Sequence, residues 1–192
     1  LLVSNDIVSS PLHLKTRHTV IIDTDGQASD LRTISLLLSL PNVSIRAIVA
    51  SGKYADRNEA GKRIEQLLTS FGADSIITCC GIESDPDVTR YSPGKKDGLE
   101  AVKVYSNILR ESKEKIKVIC LGSLTNLSVL LDREPSLSSK IEEVLWYNDH
   151  IPPLPGFNYD YDRHSADNVL RSGLYVDIIS NLQYKNASFN SD

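Results

Sequence analysis

Three aspartates within eight positions are the residues of this chain best suited to do chemistry. Asp23 and Asp25 follow the apolar, β-branched run 20–22, and Asp30 falls in the first turn of the helical pattern that comes next. Like charges this close repel one another unless a cation lies among them, and carboxylate oxygens are the ligands that Ca²⁺ and Mg²⁺ prefer. The pattern therefore predicts a cation site on a loop between a strand and a helix. A simpler interpretation stays open, in which Asp23 ends the strand and Ser29 or Asp30 caps the helix.

The elements that must position these acids alternate along the chain between short β-branched runs and helical patterns. The predicted strands are 19–23, 43–50, 75–79, 117–121, 143–147 and 175–179. The predicted helices are 29–40, 55–71, 97–111, 124–131 and 165–172. This alternation is typical of βαβ units around a parallel sheet. We therefore predict an α/β fold of the Rossmann-like kind, an open and mostly parallel sheet with helices on both faces.

Ligands of such sheets bind beyond the carboxyl ends of the strands. The acidic loop lies at one such end, and the loops near Ser51-Gly52, Gly81 and Gly122 lie at others. We expect these loops to meet along one edge of the sheet, and the functional site to be there. Residues 82–96 form a long loop rich in Asp, Pro and Gly that could cover this edge.

Length, charge and composition narrow the class of protein. A chain of 192 residues suits one domain, predicted at 19–192, with residues 1–18 as a peripheral N-terminal arm. The net charge of −4 and the lack of a basic run argue against nucleic acid as a partner. No apolar run reaches the about 20 residues that cross a membrane. We therefore expect a soluble protein that is either cytoplasmic or a processed periplasmic or secreted form. The lack of any methionine, even at position 1, indicates a processed chain, a fragment or a sequence from which residues are left out.

Three motifs occur in order along the chain. They are an Asp-Thr-Asp with a further acid at 23–30, Leu-Gly-Ser-Leu-Thr-Asn at 121–126, and Phe-Asn followed by two acids at 157–162. In this order and spacing they resemble the nucleoside hydrolase family, calcium-dependent enzymes that cleave ribonucleosides into base and ribose. The resemblance covers about residues 19 to 180. It implies a nucleoside hydrolase-like fold, a small-molecule nucleoside or sugar substrate, and assembly as a homo-oligomer.

The resemblance also implies roles for individual residues. Asp25 matches the aspartate that binds Ca²⁺ and takes a proton from water as the general base. Asp30 matches the bidentate calcium ligand, and Thr125 matches the residue whose backbone carbonyl completes part of the shell. Asn158 matches the asparagine that contacts the ribose hydroxyls. Asp23 opens the motif and is interpreted as a structural or supporting residue.

The chain departs from the family pattern at several positions. Ser29 stands where the family has an aspartate that binds a ribose hydroxyl, so we expect a weaker contact there. Lys53 follows Gly52 where the family often has Gly-Asn, and it could bind a phosphate or carboxylate of an altered substrate. Gly156 replaces a glutamate. The family also has a further calcium-binding aspartate in its C-terminal third, which the 192 residues of this chain do not include.

Two alternatives remain open from sequence. Haloacid-dehalogenase-type phosphatases also have Asp-x-Asp-Gly after a hydrophobic strand, with Mg²⁺ between the acids. There Asp23 would be the nucleophile, Asp25 the acid/base and Ser123 the phosphate contact. The other alternative is a protein that binds a nucleoside or sugar without cleaving it, since Ser29 replaces an aspartate.

Overall fold

The computed structural model describes residues 17–51, 57–82, 99–150 and 155–180. Lys53, most of the predicted arm and most of the predicted loop at 82–96 lie outside these ranges. The described residues form one six-stranded sheet in the order β3-β2-β1-β4-β5-β6. The strands are β1 (His18–Thr24), β2 (Val43–Ala50), β3 (Ile77–Cys80), β4 (Ile116–Cys120), β5 (Ile141–Tyr147) and β6 (Val176–Ile179). All five neighbouring pairs are parallel, which confirms the predicted fold class.

Six α-helices and one 3₁₀ helix accompany the sheet in the described residues. The α-helices are α1 (Ala28–Ser39), α2 (Arg57–Ser70), α3 (Leu99–Glu111), α4 (Thr125–Arg133), α5 (Phe157–Tyr161) and α6 (Arg163–Arg171). The 3₁₀ helix is Pro135–Lys140. Among the described ranges, no helix is both long enough and apolar enough to cross a membrane.

Two apolar clusters cover the two faces of the sheet. On one face, Ile34 of α1 and Ile64 of α2 pack against Ile22 and Ile48 of the central strands. On the other face, side chains of α3, α4 and α6 pack against a cluster that includes Trp146. Strands covered on both faces tend to be continuously apolar, which is why residues 20–22 in the middle of β1 are an unbroken hydrophobic run.

The order of the strands reverses beside β1. The chain runs outward from β1 through β2 to β3, then returns to β4 on the other side of β1 and continues to β5 and β6. Loops leaving β1 and β4 therefore diverge to opposite faces and leave a crevice between them, the usual ligand position in such sheets. The acidic loop follows β1 and the Leu-Gly-Ser-Leu-Thr-Asn motif follows β4, so both motifs border this crevice.

The main strands and helices lie within about two residues of their predicted bounds, and two short helical segments are additions. Pro135 begins the 3₁₀ helix directly after α4, because a proline ends one helix and its fixed φ suits the first turn of another. The helix α5 has five residues, too few to produce a recognisable period in the sequence.

Candidate functional site

The loop after β1 turns sharply so that its acids face the crevice. Gly26 has a φ of +72°, a conformation that residues with a Cβ rarely adopt. A Cβ on Gly26 would also lie 2.7 Å from the Cβ of Ala60, so glycine lets α2 approach the loop closely. The helix α1 begins at Ala28 with Gln27 as its N-cap and without a side-chain cap. Neither Ser29 nor Asp30 caps α1, so helix capping does not explain why these polar residues occur here.

Asp25 is nearly buried and held by its neighbour. Its side chain is 5% exposed. Both of its carboxylate oxygens accept hydrogen bonds from Gln27, Oδ1 from the backbone N at 3.2 Å and Oδ2 from the amide Nε2 at 3.1 Å. One residue therefore fixes the orientation of the carboxylate through two bonds.

Asp30 lies within hydrogen-bonding reach of the carboxyl group of Asp25. It accepts hydrogen bonds from Thr24 Oγ1 at 2.7 Å and from Ser29 Oγ at 3.2 Å. Burial, and then the adjacent charge of Asp25, raise the pKa of Asp30 to about 7. A divalent cation relieves this combination of burial and like charge, and both side chains offer the hard oxygen donors that Ca²⁺ or Mg²⁺ prefers. The pair therefore fits such a cation.

The donor set for a cation is small in the described part of the chain. No group of three His, Cys, Asp or Glu side chains suited to a metal occurs within it. The loop after β4 is adjacent to the acids, since a Cβ on Gly122 would lie 3.7 Å from the backbone N of Asp25. Backbone carbonyls and water would have to complete the six to eight oxygens that Ca²⁺ takes.

Thr125 is fixed at the start of α4 by its side chain. Its Oγ1 donates to Asp162 Oδ2 at 2.6 Å and lies 3.0 Å from Ser123 Oγ. The other oxygen of Asp162 accepts from the backbone N of Ser165 and caps α6. Asp162 thus ties the β4–α4 turn to α6. The N-cap of α4 is Leu124 without a side-chain bond, so Ser123 does not cap this helix.

Asp23 is the centre of a separate, buried network. It is 1% exposed. Its Oδ1 accepts from Ser51 Oγ at 2.7 Å, and its Oδ2 accepts from Asn126 Nδ2 at 2.8 Å and from Tyr105 OH at 3.5 Å. The Oδ1 of Asn126 in turn accepts from the backbone N of Ile82 at 2.7 Å. Burial raises the pKa of Asp23 to about 6, although these hydrogen bonds oppose the change. The network joins the ends of β1, β2 and β3 to α3 and α4.

A cleft of about 550 Å³ opens over the acidic loop. Of the predicted site residues, Asp25, Ser29, Asp30 and Asn158 all line it. Lys53 lies outside the described residues. The cleft is within the range of volumes that small-molecule sites usually have.

Asn158 supports the far wall of the cleft. Its Nδ2 donates to the backbone carbonyls of Leu121 and Tyr147 at 3.0 and 2.8 Å. Leu121 directly follows β4, and Tyr147 is the last residue of the neighbouring strand β5. The amide nitrogen therefore holds the two loops together.

Trp146 is fully buried in β5, next to the residues that form this wall of the cleft. Its indole Nε1 donates to the backbone carbonyl of Gly122 at 3.0 Å. This bond anchors the β4–α4 turn, which borders the acidic loop, to β5. The turn is thus held from both sides, by Trp146 and by the contacts of Thr125.

Sequence reasoning missed several residues that line the cleft: Gln27, Arg63, Tyr147, Asp149 and Phe157. Asp149 follows the end of β5 and accepts a hydrogen bond from the backbone N of Phe157 at 2.5 Å. The rule that polar residues after parallel strands face the site would have found Asp149. Arg63 lies in the middle of α2, where no local signal separates a cleft residue from a solvated one.

Comparison with known proteins gives consistent similarities. The family model described as inosine-uridine preferring nucleoside hydrolase matches residues 20–191. The pyrimidine-specific ribonucleoside hydrolase RihA of Escherichia coli O1:K1 / APEC is 24% identical over 184 residues, which cover 82% of this chain and 58% of that protein. The RihA of Citrobacter koseri is 25% identical over 181 residues, with the same coverage. The chain thus spans less than two thirds of the length of these curated relatives.

Solved structures share the fold. An inosine-uridine preferring nucleoside hydrolase from Bacillus anthracis superposes with a TM-score of 0.74 at 18% identity, covering 90% of this chain and 68% of that one. An inosine-guanosine nucleoside hydrolase gives a TM-score of 0.73 at 22% identity, covering 86% of this chain and 62% of the other. At these identities the likeness concerns the fold.

Proposed function

Because the chain belongs to the inosine-uridine preferring nucleoside hydrolase family, we propose that it hydrolyses the N-glycosidic bond of a ribonucleoside or a related ribosyl substrate. The observation that carries this proposal is the pair of nearly buried carboxyl groups, Asp25 and Asp30, at the crevice between β1 and β4. Two acids in contact at the ligand-binding edge of a parallel sheet are costly to bury unless a cation or a substrate uses them.

The proposal assigns Asp25 and Asp30 as ligands of a divalent cation, with Ca²⁺ as the expected ion and the backbone carbonyl of Thr125 as a further ligand. A cation bound there supplies Lewis acidity that lowers the pKa of water. The hydrogen bonds from Gln27 and Thr24 support the assignment, because they leave the two carboxylates oriented before any ligand arrives. An oriented site does not lose binding energy to rearrangement.

Asp25 is proposed as the general base. A carboxylate that takes a proton from water lets the oxygen attack C1′ of the ribose while the bond from C1′ to the base nitrogen breaks. The departing base takes up a proton, and ribose is released with the hydroxyl that came from water. The position of Asp25 at the cleft, 5% exposed, supports this role, since few waters compete there with the reacting one.

Ser29, Lys53 and Asn158 are proposed as substrate contacts. Ser29 Oγ is 3.2 Å from Asp30, so a ribose hydroxyl that reaches Asp30 would also meet Ser29. Asn158 lines the opposite wall, where it could meet the same sugar. Lys53 is the third residue after Ala50, the last residue of β2, and its role rests on that position in the sequence.

The phosphatase alternative is not favoured. The family match covers residues 20–191, and the environment of Asp23 also argues against a nucleophile. Both of its oxygens accept hydrogen bonds, from Ser51 and Asn126, and its side chain is 1% exposed. A carboxylate enclosed in this way cannot approach a phosphorus atom without breaking the network around it.

Calorimetric titration of Ca²⁺ into metal-free protein tests the cation site. We expect binding tighter than roughly 10 µM, as in other oxygen-ligand sites, and loss of that binding in Asp25→Asn and in Asp30→Asn. Asp177→Asn is the matched control, because Asp177 is an exposed acid on the edge strand β6. No Ca²⁺ binding by the wild type would contradict the assigned ligands.

A ribose-release assay with purine and pyrimidine ribonucleosides then tests the reaction. Release by the wild type and its loss in Asp25→Asn would support the proposed base. Tight binding of a nucleoside with no release of ribose would contradict hydrolysis and leave a nucleoside-binding protein instead.

A further inference from the structure

The described walls of the cleft differ in chemistry. Asp25 and Asp30 form an acidic floor, and Tyr147 and Phe157 form an aromatic wall on which Phe157 is 44% exposed. Arg63 is the only positively charged side chain among the described residues that line the cleft. A site for an uncharged nucleoside needs a place for the sugar and a place for the base, but it does not need a guanidinium group.

The topology sets the order of these walls across the sheet. The acids follow β1. Arg63 belongs to α2, which packs against β2 and β3 on one side of β1. Tyr147 ends β5, which lies on the other side of β1 beyond β4. With adjacent strands about 4.8 Å apart, the aromatic wall is displaced from the acids by about 10 Å, in the direction away from Arg63.

Arg63 is also held close to the acidic loop. Ala60 of the same helix touches Gly26 of that loop, where a Cβ would come within 2.7 Å. Residues three apart on a helix share a face, so Arg63 projects from α2 one turn beyond the point of contact. The cationic group and the acids are therefore on neighbouring parts of one cleft, with the acids between Arg63 and the aromatic residues.

We propose that the preferred substrate carries a phosphate on the 5′ carbon of its ribose, as a nucleoside 5′-monophosphate does, and that Arg63 binds this phosphate. The inference rests on the proposed function. A base stacked on Tyr147 or Phe157, a ribose over Asp25 and Asp30, and a phosphate at Arg63 follow the order in which these groups are bonded in a nucleotide. Arginine suits the phosphate because its planar fork donates two parallel hydrogen bonds.

Electrostatics selects the 5′ position over the other ribose carbons. The 2′ and 3′ hydroxyl groups are hydrogen-bond donors, which suit the carboxylates of Asp25 and Asp30. A phosphate on either of those carbons would lie beside the acids and be repelled by them. The 5′ phosphate extends away from the acids and can reach Arg63.

The present partner of Arg63 does not prevent this role. Its Nη2 pairs with Glu59 Oε1 at 2.5 Å, and the two side chains are 44% and 55% exposed. Exposed ion pairs at this spacing on a helix contribute little free energy. A phosphate with two negative charges can therefore replace the single carboxylate of Glu59 at small cost.

Calorimetric binding of ribose and of ribose 5-phosphate to the calcium-loaded protein tests the inference. We expect ribose 5-phosphate to bind roughly ten-fold tighter than ribose, as one charge-assisted contact predicts, and the preference to weaken as salt is added. Arg63→Ala should remove the preference. Glu59→Gln should increase it, because the competing carboxylate is gone.

Lys62→Ala is the matched control. Lys62 is an exposed cation on the same helix, but it is not among the residues that line the cleft. Its removal changes the net charge by the same amount as Arg63→Ala, so the preference should persist in this variant. Equal binding of the two sugars by the wild type, or an equal preference in wild type and Arg63→Ala, would overturn the inference.

Cleavage assays separate this inference from the proposed function. With a nucleoside and its 5′-monophosphate as substrates, we expect the ratio of their kcat/KM values to favour the monophosphate in the wild type and to fall in Arg63→Ala. Cleavage of the nucleoside without any preference for the monophosphate would overturn the inference and leave the proposed hydrolysis standing. A preference for ribose 5-phosphate in binding, with neither substrate cleaved, would overturn the hydrolysis and retain the phosphate site.

Discussion

Replacing Gly81 with alanine should disrupt the network around Asp23 without touching Asp23 itself. A Cβ at this position would lie 2.6 Å from Ser51 Oγ and 2.7 Å from Asn126 Nδ2. Both separations are shorter than side chains tolerate, so the two groups must move. They are also the donors that lie 2.7 and 2.8 Å from the carboxylate of Asp23, and a small shift weakens both bonds.

The size of the effect follows from these two bonds and from the crowding. A hydrogen bond to a charged group contributes about 1.5 to 3 kcal/mol, and overpacking costs about 1 to 3 kcal/mol. Because the bonds weaken and do not vanish, we expect the free energy of unfolding to fall by about 2 to 4 kcal/mol. Gly122→Ala is the control, since its Cβ would meet Asp25 at 3.7 Å, an ordinary contact. There we expect a change within about 0.5 kcal/mol.

Urea unfolding followed by circular dichroism measures both variants. The difference between Gly81→Ala and wild type should grow as the pH rises through about 6, the pKa of Asp23. Above that pH the carboxylate of Asp23 is charged in the folded protein, and its stability depends on the hydrogen bonds from Ser51 and Asn126. Below that pH Asp23 is protonated, so losing these bonds costs less. Equal stability of the Gly81→Ala and Gly122→Ala variants would refute the idea that Asp23 is held by these contacts.

Three further predictions concern separate features. Gly61→Ala should raise the melting temperature, because a Cβ in this helical position meets nothing within 4 Å and alanine favours a helix by about 0.5 to 1 kcal/mol; no increase in a thermal scan would contradict this. In metal-free buffer, stability should fall from about pH 4 to 7, since the pKa of Asp30 is raised from 3.8 to about 7 and the folded state retains the proton longer. Asp30→Asn should have a shallower slope, and equal slopes in urea titrations would contradict the raised pKa. Burial raises the pKa of Cys79 to about 12 and that of Cys120 well above its ordinary value, so mass spectrometry should find both unalkylated in mildly alkaline buffer until the protein unfolds.

The sequence was sufficient for the sheet because the carboxyl-terminal halves of the central strands β1 and β2 are fully buried. The bounds of β2 are those predicted, and β1 extends the predicted strand by one residue at each end. Buried segments of this kind need mostly apolar residues, many of them β-branched, and this requirement produces a local signal. The helix α5 has no such signal because its position depends on Asn148, whose Oδ1 accepts from the backbone N of Tyr159.

The site was predictable in part for the same reason. Asp25 follows β1 directly and Asp30 lies in the first turn of the next helix. Because the parallel sheet brings the ends of its strands together, the place of both acids at the cleft could be expected. Arg63 and Phe157 reach the cleft from helices. Which side of a helix faces a site depends on packing, and here it depends on the contact between Ala60 and Gly26. That contact joins residues far apart in the sequence, so no local sequence pattern predicts it.

The hydrogen bond of Trp146 makes its fluorescence an intrinsic probe of the candidate site. Trp146 is the only tryptophan among the 192 residues, and its indole is bonded to Gly122, the neighbour of Asp25. Indole emission depends on the strength of that bond and on the local field. Fluorescence excited beyond the absorption of the eight tyrosines therefore comes from one known position beside the acids, and the arrival of a cation or sugar can be followed in time without attaching a dye.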